Sequence, residues 1–114
     1  MKEYRIYVGL LDPVTRKQKF ETDRYKSLLR NICRSYGTAF SVQVIEGGYF
    51  YEDGTYAEEQ TLVITLIDVP EETVREIAKD VCAFFGQESV LVTGAEAQVY
   101  FVRERLQEED SEEK

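Results

Sequence analysis

The sequence contains no histidine and no tryptophan, and it has only one methionine, two cysteines and two prolines in 114 residues. The missing histidine excludes the most chemistry. Without imidazole there is no His-based acid–base catalysis, no Ser-His or Cys-His nucleophile pair, and none of the usual zinc or non-haem iron ligand sets. Cys33 and Cys82 lack Cys-x-x-Cys spacing, so they read as two free, buried thiols behaving as small apolar groups, and no metal site is expected. A glycine-rich phosphate motif is also missing. Gly47-Gly48 is followed by neither Lys-Ser/Thr nor a helix start. Calcium-type Asp-x-Asp spacing is absent, and Glu52-Asp53-Gly54 reads as a hairpin tip. No cofactor is expected.

Long apolar runs are lacking as well. None approaches the ~20 residues of a membrane helix, and Lys2, Glu3 and Arg5 interrupt any apolar leader region. The expectation is a cytoplasmic protein with no membrane partner. Positive charge is in short supply: 22 acidic residues face 14 basic ones, a formal net charge of −8. Nucleic-acid phosphates and anionic lipids repel such a chain. The basic residues cluster from Arg16 to Lys19 and at Arg24, Lys26, Arg30 and Arg34, and they read as a solvated loop and an exposed helix face. No nucleic-acid partner is expected.

What is present is apolar and aromatic. A hydrophobic share of 43%, with 8 Tyr and 6 Phe, is enough for a core that needs neither disulfides nor metals. Tyr4, Ile6, Val8 and Leu10 alternate with polar or small residues and predict a strand, ended by Asp12-Pro13. Thr22 or Asp23 is placed to cap a helix. Tyr25, Leu28, Leu29, Ile32, Cys33 and Tyr36 form its apolar stripe, and Gly37 is its expected end. Phe40, Val42 and Val44 begin a second strand. Gly47-Gly48 inside that pattern predicts a bulge, a bend or a close backbone approach. Asp53-Gly54 predicts a two-residue hairpin turn, and Leu62, Ile64 and Leu66 mark the return strand.

Pro70 with Glu71 and Glu72 opens a second helix. Its stripe is Val74, Ile77, Ala78, Val81, Cys82 and Phe85, closed by Gly86. Ser89–Thr93 reads as a short strand or extended lead-in and Gln98–Val102 as the last strand. The order β-α-β-β-α-β predicts an α+β, ferredoxin-like split βαβ domain over residues 1–102, with both helices on one face of an antiparallel sheet. Residues 103–114 read as an acidic, disordered tail.

On the face away from the helices, Tyr7, Ile45, Val63 and Ile67 are a large apolar area to leave wet, so this face is expected to bind a second copy or another protein. Near the Gly47-Gly48 bend stands a set of carboxylates and tyrosines. Glu46, Tyr49, Tyr51, Glu59 and Glu88 are the candidate ligand-binding residues, since carboxylates and phenols enclosed in a pocket can do acid–base work. No catalytic residue is assigned.

The segment Phe85-Gly86-Gln87-Glu88-Ser89-Val90-Leu91, with Tyr7-Val8-Gly9-Leu10, Gly47-Gly48-Tyr49 and Glu59-Gln60-Thr61-Leu62, resembles a family of small uncharacterised bacterial proteins, a domain of unknown function. Members carry a Gln-Glu-Ser-Val-Leu-like segment before the last strand, and related chains look like mobile-element cargo. The resemblance implies no established activity. Gln87, Glu88 and Ser89 are expected to clasp the neighbouring Glu59–Thr61 strand through hydrogen bonds. Two functional readings result. The first is a non-enzymatic interaction module acting as a homodimer. The second is a small-molecule binder or histidine-free enzyme using the carboxylates and tyrosines near the bend.

Overall fold

The computed structural model describes residues 1–104. Six elements follow in the expected order: β1 (Lys2–Gly9), α1 (Thr22–Ser35), β2 (Ser41–Phe50), β3 (Tyr56–Ile67), α2 (Glu71–Phe85) and β4 (Leu91–Glu96). The strands form one sheet in the order β2-β3-β1-β4, every neighbouring pair antiparallel. This is the ferredoxin-like split βαβ arrangement. One parity of the strands supplies the core. Tyr4, Ile6, Val8, Leu62, Ile64 and Leu66 pack in a single cluster with Tyr25, Leu29, Ile32 and Cys33 of α1 and Val74, Ile77, Val81 and Phe85 of α2. Both helices therefore cover the same face, and each fully buried Leu, Ile or Val stabilises by ~1.5–3 kcal/mol.

Several local expectations change. Neither Thr22 nor Asp23 caps α1: the helix starts at Thr22, Glu21 is its cap residue, and no side chain bonds there. Gln18 Nε2 donates to the Thr22 hydroxyl at 3.1 Å, and that hydroxyl also meets Gln60. The tertiary contact thus takes the group that would otherwise cap. Pro70 is likewise the cap residue of α2 and not its first turn. The hairpin tip is a five-residue loop, not a two-residue turn. Gly54 N–H donates to the Tyr51 carbonyl at 2.9 Å and Tyr51 N–H to the Thr55 carbonyl at 2.9 Å. Only Gly54 takes positive φ, at 86°, as in a turn closed by a glycine bulge.

Gly47-Gly48 makes no bulge, because β2 and β3 keep an unbroken register from Ser41↔Thr65 to Phe50↔Tyr56. The close approach is by a side chain: the Tyr56 ring lies where a Cβ on Gly48 would stand. The last strand is Leu91–Glu96, pairing with β1 from Tyr7↔Leu91 to Lys2↔Glu96. Gln98–Val102, the expected strand, has no regular structure, since β1 has no residues left to pair with it. The tail reading falls almost wholly on residues 105–114, outside the described residues. Cys33 and Cys82 are both free, and burial pushes the Cys33 thiol up to about 11.

Candidate functional site

Strand alternation sorts the ribbon residues onto two faces. The core parity of β3 continues outward through Gln60, Glu58 and Tyr56, opposite Glu46, Gly48 and Phe50 of β2. The other parity carries Val63, Thr61, Glu59 and Ala57, opposite Gln43, Ile45, Gly47 and Tyr49. Glu46 and Glu59 thus stand on opposite faces, yet both border a cleft of about 240 Å³ with Leu11, Gln18, Glu58 and Gln60.

Glu59 is the best-held carboxylate of the set. It is half-buried, and its Oε2 accepts the Leu11 backbone N–H at 3.2 Å. Its carboxylate lies against Gly9, where an added Cβ would fall within 2.6 Å of the Glu59 carboxyl carbon. Gly9 pairs with Thr61, one place along the same face, so only glycine leaves room for Glu59 to lie across β1. Leu11 is held from both sides, because its carbonyl accepts Gln87 Nε2 at 2.9 Å.

Tyr49 and Tyr51 meet beside this carboxylate. Their hydroxyls are 3.1 Å apart and their rings pack edge-on at 5.1 Å. Burial, the hydrogen bond with Tyr51 and the negative charge of Glu59 together push the Tyr49 phenol up to about 12, so it stays protonated at neutral pH. The loop between β1 and α1 supplies a cation. Arg16 stacks its guanidinium 3.6 Å from the Tyr51 ring centroid and reaches Asp53 Oδ2 at 3.1 Å. Hydrogen bonds from Thr55 and Arg16 hold the Asp53 carboxyl down at about 2. The loop is shaped by Asp12, whose Oδ1 accepts the N–H groups of Val14 and Thr15, each at 2.9 Å.

The fold therefore brings Tyr49, Tyr51 and Glu59 to one place and sets Glu46 at its border. Glu88 stands apart. It is exposed beyond α2 and makes no hydrogen bond or ion pair among the described residues. The expected clasp is made by Gln87 and grips Leu11; it does not engage the Glu59–Thr61 strand. Sequence reasoning missed Gly9, Leu11 and Arg16. Gly9 carried a signal, since an isolated glycine in a strand pattern marks a close approach. Arg16 carried none beyond its charge.

Tyr7, Ile45, Val63 and Ile67 share the helix-free face as expected, but unequally. Val63 is only 3% exposed, while Ile67 is 41% exposed. Neighbouring strands already shelter Val63, because it pairs with both Tyr7 and Gln43. A carboxylate beside phenol rings can hold a cation and stack a planar ring, with the Arg16 guanidinium already lying over Tyr51. Among the described residues no group of three Cys, Asp or Glu side chains is placed to hold a metal, and no helix is long and apolar enough to cross a membrane.

No model of a protein family matches the chain, and no curated protein does. Solved structures do. The chain is similar to a phage SAM lyase in complex with S-methyl-5′-thioadenosine, with 25% identity, 83% of this chain and 80% of that one covered, and a TM-score of 0.66. It is similar in fold to a DUF3240 family protein from Shewanella baltica OS155, at 10% identity, 90% and 97% coverage and a TM-score of 0.54. It is also similar in fold to the periplasmic divalent cation tolerance protein CutA from Archaeoglobus fulgidus, at 12% identity, 89% and 88% coverage and a TM-score of 0.56. A protein from a domain-of-unknown-function family is thus among the fold neighbours, as the resemblance implied, although that likeness reaches neither the Gln87–Leu91 motif nor the mobile-element link. The chain has the ferredoxin-like α+β fold of all three, and the phage lyase shares with it more identity and more shape than the other two do.

Proposed function

We propose that this chain binds S-adenosylmethionine at the Glu59–Tyr49–Tyr51 cluster and cleaves it to release S-methyl-5′-thioadenosine. The carrying observation is a well-held carboxylate beside two hydrogen-bonded phenols on a chain similar to a SAM lyase. It favours the histidine-free enzyme over the non-enzymatic module. The sulfonium is a cation, and a carboxylate beside aromatic faces suits it. The adenine ring suits stacking on tyrosine.

In the cleavage the C–S bond breaks, sulfur keeps the electron pair, and methylthioadenosine leaves as a neutral thioether. A lyase consumes no water. The four-carbon remainder either closes on its own carboxylate, giving a lactone, or loses a proton from the adjacent carbon, giving an alkene. The first route annihilates a positive and a negative charge, which a water-poor site favours, and it needs no protein base. That agrees with a site holding no histidine. Glu59 then binds and orients the sulfonium, and Tyr49 donates a hydrogen bond.

The test is to incubate the purified chain with S-adenosylmethionine and follow methylthioadenosine by chromatography, with the mass of the second product separating the two routes. Glu59→Gln is expected to slow release by about 10²-fold or more, the scale of losing one oriented electrostatic partner. A wild type that neither forms product nor binds methylthioadenosine overturns the reading. A cytoplasmic location belongs to the same proposal, because the substrate is an intracellular metabolite, and so does the mobile-element link, because the similar lyase is a phage protein.

A second reading, self-association through the helix-free face, is favoured by one observation. Leu91, paired with Tyr7, and Ile67, farther along β3, are 61% and 41% exposed on that face. Solution mass tests it: Ile67→Lys is expected to lower the mass to that of one chain, and an unchanged mass counts against it.

A further inference from the structure

The β2 edge is open, and Tyr100–Val102, after β4, are exposed. β2 is an outer strand of the sheet. Its ten residues, Ser41–Phe50, pair with β3 without a bulge, and they include no proline, lysine or arginine. Edge strands are normally blunted by such devices, because their free N–H and C=O groups otherwise template another strand. At the opposite edge the chain leaves β4 at Glu96 and makes one more ladder bond, from Ala97 N–H to the Met1 carbonyl at 2.8 Å. Beyond it, Tyr100, Phe101 and Val102 are 73%, 83% and 85% exposed. Aromatic and β-branched residues in succession suit a strand and not open water. The radius of gyration, 17.7 Å, exceeds the roughly 13 Å of a compact chain of this length, as projecting parts require.

We propose that the Val99–Val102 segment of one copy adds as a strand along the β2 edge of a second copy. The segment cannot serve its own β2. Crossing from β4 to the outer side of β2 spans four strand spacings, about 19 Å, which consumes about six residues at ~3.3–3.6 Å each and leaves none of the arm to pair. An arm at one edge and an open edge at the other make each chain both donor and acceptor, a head-to-tail contact that closes into a dimer or small ring. β2 carries Glu46 and Tyr49, so the added strand also walls the candidate site, whose 240 Å³ cleft is smaller than the ~300–1,000 Å³ of typical small-molecule pockets. The interface stands whether or not the chain acts on S-adenosylmethionine.

Light scattering on the full chain is expected to give a multiple of 13.2 kDa. A Tyr100→Ser, Phe101→Ser double variant is expected at single-chain mass with an unchanged circular dichroism spectrum, because those side chains stand in solvent. Val44→Lys is expected to do the same from the acceptor side. Mixing chains carrying Gln43→Cys with chains carrying Phe101→Cys under oxidation is expected to give a disulfide-linked pair. A wild type of single-chain mass at every concentration, or an arm variant with unchanged mass, overturns the proposal. So does an intramolecular disulfide in a dilute chain carrying both cysteines, which would seat the arm on its own edge.

Discussion

Gly9 and Glu59 form one unit although 50 positions separate them in sequence. The carboxylate lies flat across β1 because Gly9 has no side chain, and Leu11 N–H fixes its end. Gly9→Ala is expected to push the carboxylate off β1. Cleavage of S-adenosylmethionine, followed by methylthioadenosine release, should slow about as much as in Glu59→Gln, while the melting temperature falls only a few degrees. An alanine variant that cleaves normally would show that Glu59 has room to shift without consequence. Tyr49→Phe separates the phenol's roles. It keeps the ring and loses the hydroxyl that meets Tyr51, so stacking survives and product release slows.

Between elements, α1 and α2 are joined by a polar tether as well as by their apolar stripes. The Tyr36 hydroxyl donates to Asp80 Oδ2 at 2.5 Å. That bond, helped by burial and by the charges of Asp80 and Glu76, pushes the phenol up to about 12. The folded protein therefore favours protonated Tyr36. The tether is fully present below the ordinary tyrosine pKa of 10 and is lost as pH rises through about 12. Tyr36→Phe is expected to lower stability at neutral pH, where the hydrogen bond is intact, and to flatten the decline in stability above pH 10. Denaturant titrations at pH 8 and pH 11 check both, and an equal loss at the two pH values would disprove the linkage.

Across the whole molecule, two carboxylates hold the loop and the ribbon tip in place. Hydrogen bonds from Thr15, Lys19 and Val14 depress Asp12 to about 2, and those from Thr55 and Arg16 do the same for Asp53. A depressed carboxylate contributes stability above its unfolded pKa, near 3.9, and that contribution disappears as pH falls through about 2. Thermal melts are expected to lose stability between pH 4 and pH 2, and Asp12→Asn with Asp53→Asn should remove most of that slope. If the double variant keeps the wild-type slope, other carboxylates govern acid unfolding. The same two residues order the loop carrying Arg16 against Tyr51, so methylthioadenosine affinity should fall in the same pH window.

The amino-acid sequence by itself determined the elements and the core. Period-two and 3.6-residue patterns are local, so the Tyr4–Leu10 and Leu62–Leu66 alternations and the two helical stripes state which side of each element is buried. The handedness of strand connections then leaves one arrangement for both helices. Tertiary structure decided what depends on partners far along the chain. Thr22 gave up capping because Gln18 and Gln60 reach it, Gly47-Gly48 kept its register because a tyrosine ring and not a backbone came close, and the last strand moved to Leu91–Glu96 because β1 ran out of residues. The candidate site divided in the same way. Tyr49, Tyr51 and Glu59 were visible as a local cluster of chemistry. Gly9, Leu11 and Arg16 entered only when β1 and its loop folded against the ribbon, and Glu88 dropped out because the helix end that carries it points Gln87, not Glu88, toward Leu11.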